Sequence, residues 1–81
     1  MKHVQAYILI STEPGKPWEV AESALQINGV KTAHAVTGPF DVVIFVESNN
    51  IDDLGKLLEK IHSLEGVLKT QTAIAMSTRL V

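Results

Sequence analysis

The sequence has no cysteine, so it offers no disulfide framework, no thiolate nucleophile and no zinc knuckle, a pattern that suits a cytosolic protein. It has no excess of basic charge either: seven Lys and Arg stand against nine Asp and Glu, a net charge of −2. The basic residues Lys2, Lys16, Lys31, Lys56, Lys60, Lys69 and Arg79 are scattered, which disfavours direct binding to nucleic acid. No apolar run approaches the roughly 18–20 residues needed to cross a bilayer, and Met1-Lys2-His3 leads into strand-like alternation instead of a signal-peptide core. The expectation is an unprocessed cytoplasmic chain with no membrane partner. Missing too are a nucleophile–base pair, a metal-ligand spacing and a phosphate loop. His3, His34 and His62 fall on elements not expected to be neighbours, so no catalytic residue, metal or cofactor is expected.

What is present is periodicity. A chain of 81 residues suits a single domain, 1–81, and one this short buries only about 60–65% of its unfolded surface. Its stability is therefore expected to lean on a partner chain. Residues 3–11 alternate as a strand, with Val4, Ala6, Ile8 and Ile10 on one face and His3, Gln5, Tyr7, Leu9 and Ser11 on the other. Thr12-Glu13-Pro14-Gly15 breaks it, and Lys16-Pro17-Trp18-Glu19 opens a helix, with proline tolerated in the first turn and Glu19 favourable at the positive end of the dipole. Ala21, Ala24 and Leu25, with Trp18, make its apolar stripe, and Asn28-Gly29 ends it. Trp18 reads as a packing or subunit contact, the alternative being stacking on a ligand.

Residues 30–37 and 40–48 form a hairpin of strands, and in the second of them Phe40, Val42, Ile44 and Val46 oppose Asp41, Val43, Phe45 and Glu47. Both faces want cover. Asn49-Asn50 supplies an N-cap, Asp52 and Asp53 sit in the first turn, and Ile51, Leu54, Leu57, Leu58, Ile61 and Leu64 recur at helical spacing. Asp52, Asp53, Lys56, Glu59 and Lys60 read as a solvated face with pairs three and four residues apart. Glu65-Gly66 ends this helix, and a last strand runs from Val67 to about Leu80.

The order is βαββαβ, with an internal echo in Gly29-Val30 and Gly66-Val67. Two such units make an α+β, ferredoxin-like sandwich: a four-stranded antiparallel sheet with both helices on one face. The helices then cover the even-numbered residues of the first and third strands and leave Tyr7, Leu9, Val43 and Phe45 bare. An apolar patch of that kind on a small domain marks an interface, so dimerisation through the open sheet face is expected.

One stretch concentrates chemistry. In Val36-Thr37-Gly38-Pro39-Phe40-Asp41, Pro39 fixes φ and removes an amide, Gly38 admits unusual backbone angles and close approach, and Asp41 stands at a strand end beside turn amides. That arrangement suits a small zwitterion. In the alternative reading Asp41 only caps the hairpin by bonding nearby amides.

With these residues in view, the chain resembles the effector-binding domain of the Lrp/AsnC, or feast/famine, transcriptional regulators, also called the RAM domain. The resemblance rests on the Glu13-Pro14-Gly15 turn, the Val36-Thr37-Gly38-Pro39-Phe40-Asp41 hairpin, the Leu64-Glu65-Gly66-Val67 helix end and the Thr70-Gln71-Thr72 step. It covers nearly the whole chain and corresponds to a stand-alone form of the domain, without helix-turn-helix. It implies a dimer whose dimers assemble further, with an amino-acid effector at the dimer–dimer contact. On the matching positions it implies ligand-binding roles for Gly38 and Asp41, lined by Val36, Thr37 and Phe40, together with Thr70 and Thr72. Turn amides and threonine hydroxyls can take an α-carboxylate while Asp41 pairs with the α-ammonium.

Three functions are weighed. The first is a non-enzymatic amino-acid sensing and oligomerisation domain, acting by ligand-dependent assembly or by co-assembly with a full-length Lrp/AsnC regulator. The second is a small dimeric ferredoxin-like enzyme, similar to monooxygenases and isomerases of that fold, with His34, Tyr7 or Asp41 as acid or base. The third is an oligomerisation module without a ligand.

Overall fold

Two central strands, apolar on both faces but fully buried only at every second residue, decide the architecture. In β1 (Val4–Thr12) Ala6, Ile8 and Ile10 are fully buried, and in β3 (Val42–Ser48) so are Val42, Ile44 and Val46. The two pair antiparallel with Ala6 opposite Val46, Ile8 opposite Ile44 and Ile10 opposite Val42, so the six side chains form one apolar floor. The computed structural model describes residues 4–76. Its elements run β1, α1 (Pro17–Leu25), β2 (Val30–Ala35), β3, α2 (Ile51–His62), β4 (Val67–Ala75), in a four-stranded antiparallel sheet of order β2-β3-β1-β4. This is the expected ferredoxin-like sandwich. Val20, Ala21 and Ala24 of α1 and Leu54, Leu57 and Ile61 of α2 close over the floor. Burying an isoleucine or leucine in full is worth about 1.5–3 kcal/mol.

The second helix follows from its sequence. The Asn50 side chain accepts the amide of Asp53 at 2.8 Å, capping the first turn, and Asp52 and Asp53 complement the dipole there. Of its expected apolar stripe Leu54, Leu57 and Ile61 are buried and Leu58 and Leu64 pack against the core at its margin, whereas Ile51 is exposed. Among the described residues the expected ion pairs along its outer face are not formed; the ion pairs present are Lys16–Glu19 and Lys31–Glu47. The first helix corrects the sequence reading more strongly. Val20 joins Ala21 and Ala24 in the core, whereas Leu25 is half-exposed and Trp18 is 72% exposed, so the tryptophan lies outside the core of the described residues.

The internal echo has a structural counterpart. The amide of Val30 bonds the carbonyl of Ile27, and that of Val67 bonds the carbonyl of Leu64, each turn carrying a glycine of positive φ, Gly29 and Gly66, before the strand begins. The strands are shorter than read from sequence at the hairpin, where β2 stops at Ala35 and β3 starts at Val42. The expected strand residue His3 and everything beyond Met76 lie outside the described residues.

The sheet face away from the helices carries Tyr7, Leu9, Val43 and Phe45, as the alternation requires. Tyr7 is 48% exposed, and its ring lies 5.0 Å from that of Phe45, directly opposite in the register.

Candidate functional site

Residues 36–41 leave β2 and return into β3 as a six-residue loop, wider than the tight turn expected. It is closed by the amide of Val36 on the carbonyl of Asp41, at 2.9 Å. Gly38 has φ of 112°, a region that disfavours residues with a Cβ, and nothing lies within 4 Å of where a Cβ would stand. Backbone angle, not crowding, therefore accounts for glycine here. The amides of Thr37, Gly38 and Phe40 bond to no described residue, while Pro39 contributes none, so the loop presents three free donors interrupted by the proline.

Asp41 does more than cap its own loop. Its amide donates to the carbonyl of Ile10 at 2.9 Å, and its Oδ2 accepts the amide of Thr12 at 2.8 Å. Thr12 lies where the pairing of β1 with β4 slips register, so a carboxylate supplied by the hairpin loop takes a backbone donor at that irregularity. The carboxylate is thereby aimed and held, half-buried, with Oδ1 making no bond to a described residue. Neither the zwitterion reading nor the local-cap reading anticipated this bond across the sheet.

The predicted site residues fall into two groups. Val36, Thr37, Gly38, Phe40 and Asp41 share the hairpin loop. Thr70 and Thr72 lie on β4, opposite Ile10 and Ile8, and so on the sheet face that carries the helices. They stand at the same end of the sheet as the hairpin, but β1 runs between, and two strand steps of about 4.8 Å separate β3 from β4. One chain does not bring the two groups into contact. Thr72 is exposed, whereas the Thr70 hydroxyl is engaged by Nε2 of His62 at the end of α2, a partner that the local sequence pattern gives no means of finding.

The residues weighed for acid–base chemistry are also dispersed. Tyr7 and His34 both lie on the open face but on β1 and β2, with β3 between them, and the Asp41 carboxylate is turned toward Thr12. No hydrogen bond joins any two of these side chains among the described residues. Grooves mark the surface of the described residues elsewhere. One, of about 330 Å³, is lined by Leu58, Glu59, His62 and Ser63. Another, of about 260 Å³, lies at the far end of the sheet from the hairpin, where β2, the end of β3 and α2 meet. Among the described residues no helix is long and apolar enough to cross a membrane, and no group of three or more His, Asp and Glu could hold a metal ion.

Comparison with known proteins extends this geometry. A profile described as the Lrp/AsnC ligand binding domain matches residues 5–80. The HTH-type transcriptional regulator LysM of Sulfurisphaera tokodaii is 31% identical over 74 residues, which make up 90% of this chain and 53% of that protein. The chain spans about half the length of the curated relatives it matches. Among solved structures it is similar to TTHA0845 from Thermus thermophilus, with a TM-score of 0.91 and 28% identity, covering 98% of this chain and 100% of that one. It is similar also to AsnC of E. coli, with a TM-score of 0.81 and 26% identity, covering 96% of this chain and 54% of that one.

Proposed function

The chain belongs to the Lrp/AsnC ligand-binding domain family, and on that footing we propose that it is a non-enzymatic amino-acid sensor that works by changing its state of assembly. Two copies dimerise through the open sheet faces, and dimers join further with an amino acid held in the seam between them. The observation that carries the proposal is the bare apolar face with Tyr7 half-exposed against Phe45, which leaves a small sheet incomplete until a second sheet covers it.

The hairpin supplies the chemistry of recognition. Its three free amides suit an α-carboxylate, and the unbonded Oδ1 of Asp41, aimed by the bond from Thr12, suits an α-ammonium. Thr70 and Thr72, separated from the hairpin by β1 within one chain, join the site as donors from a neighbouring copy. A ligand held between dimers stabilises the assembled form by the difference in its affinity for the two forms. The chain works in the cytoplasm, binds no nucleic acid itself, and can reach a promoter by co-assembly with a full-length Lrp/AsnC regulator. Dispersal of Tyr7, His34 and Asp41 favours this over the enzymatic reading.

The test is light scattering and thermal shift of the purified chain against each of the twenty amino acids. The proposal predicts that one amino acid, or a related set, raises both the mass of the assembly and the melting temperature. If no amino acid moves either quantity while the chain remains dimeric, sensing is excluded and a ligand-free oligomerisation module remains.

A further inference from the structure

The groove at the far end of the sheet is lined by residues brought together from three parts of the chain. The turn before β2 gives Asn28 and Gly29, the strands give Lys31, Glu47 and Ser48, and α2 gives Asp53, Lys56, Leu57 and Lys60. Three of the seven basic residues of an acidic chain thus meet around a space of about 260 Å³.

Their charges are unequally satisfied. The Glu47 carboxylate already has two partners, the Gln5 amide at 3.0 Å and the Lys31 ammonium at 3.9 Å. Lys56 and Lys60 make no ion pair with any described residue. They are exposed and four residues apart, so they lie on one side of the helix and repel each other weakly. Asp53 is the remaining acid of the groove, and it makes no ion pair with Lys56.

Gly29 has φ of 102°, and its carbonyl accepts the amide of Glu47 at 2.9 Å. A Cβ on Gly29 would stand 2.7 Å from Cδ1 of Leu57 and 3.1 Å from the carbonyl of Glu47. A larger residue would push Leu57, which lines the groove.

We infer that this groove is a second binding site, for a small multivalent anion carried as phosphate or carboxylate groups, bridged by the ammonium groups of Lys56 and Lys60 with Lys31 at the opposite wall. An anion there relieves the repulsion between two unpaired lysines, and bridging both ammonium groups at once calls for an anion with at least two charged groups, whose attraction must also exceed the repulsion from Asp53. The site is separate from the hairpin seam, since the seven residues of β3 put about 20 Å between them.

The test is a titration of the isotopically labelled chain followed by NMR, with sodium pyrophosphate in one arm, citrate in a second, and sodium chloride at matched ionic strength in a third. The inference predicts saturable shifts of the Gly29, Lys31, Lys56 and Lys60 amides with pyrophosphate, citrate or both, the two arms telling a phosphate from a carboxylate ligand. The amides of Gly38 and Asp41 stay still. Replacing both exposed lysines, Lys56→Ala with Lys60→Ala, weakens binding at least fivefold without altering the rest of the spectrum, and Lys56→Arg with Lys60→Arg restores it. Equal shifts with sodium chloride, or binding that survives the double alanine variant, would overturn the inference. Because the hairpin is untouched by these changes, failure here leaves the amino-acid reading standing.

Discussion

Replacing Asp41 in two ways separates its mechanical role from its proposed role in recognition. In Asp41→Ala the Thr12 amide loses the carboxylate that accepts it at 2.8 Å, and Thr12 is buried, so water cannot fully compensate. A hydrogen bond to a charged group is worth about 1.5–3 kcal/mol, and half-exposure of Asp41 argues for the lower end. A loss of about 1.5 kcal/mol in a domain of this size lowers the melting temperature by about 6–12 °C. Asp41→Asn keeps an oxygen for Thr12 and removes the charge, so its melting temperature should stay within about 4 °C of the parent, a change under about 0.5 kcal/mol. Its affinity for an amino acid should nevertheless fall about tenfold, the loss of about 1.4 kcal/mol expected when a carboxylate no longer faces an ammonium. The assays are differential scanning fluorimetry at fixed protomer concentration and calorimetric titration with the amino acid that promotes assembly. Equal destabilisation by both variants would refute the hydrogen-bond argument, and undiminished affinity in Asp41→Asn would refute the ammonium argument.

Other perturbations test the fold and its surfaces. Asn50→Ala removes the cap on the Asp53 amide and should cost about 1 kcal/mol, read as a lower denaturant midpoint with an unchanged slope. Ile44→Ala empties the centre of the apolar floor and should cost about 2–5 kcal/mol, enough to leave a substantial unfolded fraction by circular dichroism at 37 °C. Trp18→Ser should leave stability within about 0.5 kcal/mol in chemical denaturation, since Trp18 is 72% exposed and lies outside the core. Phe45→Lys places a charge on the open sheet face and should yield a folded chain that elutes as a monomer in size-exclusion chromatography with light scattering.

How much of this could be read in advance depended on how far each signal reaches along the chain. The floor of Ala6, Ile8, Ile10, Val42, Ile44 and Val46 was legible because alternation is local and both strands repeat it. The second helix was legible too, from the Asn50 cap and three turns of spaced leucine and isoleucine. The first helix, at nine residues, is too short for periodicity to decide whether the stripe through Ala21 and Ala24 extends to Trp18 and Leu25 or to Val20, and packing chose Val20. The ion pairs expected along α2 did not form, as befits exposed charges whose attraction is worth only a few tenths of a kcal/mol.

The hairpin was conspicuous as a composition, but its anchoring was not. The bond from Thr12 to Asp41 spans 29 residues and depends on the register of a third strand, which no window of the sequence contains. The same holds for the contact of His62 with Thr70, and for the three lysines that gather from positions 31, 56 and 60. Chemistry built from neighbours in space but not in sequence appeared only when the sheet order was known.

In the proposed dimer a second copy closes the open face. Sedimentation equilibrium of the purified chain at low micromolar concentration should then give a mass of twice the 8.8 kDa chain or a larger even multiple, whereas a single species of 8.8 kDa across the range would mean that the face stays bare.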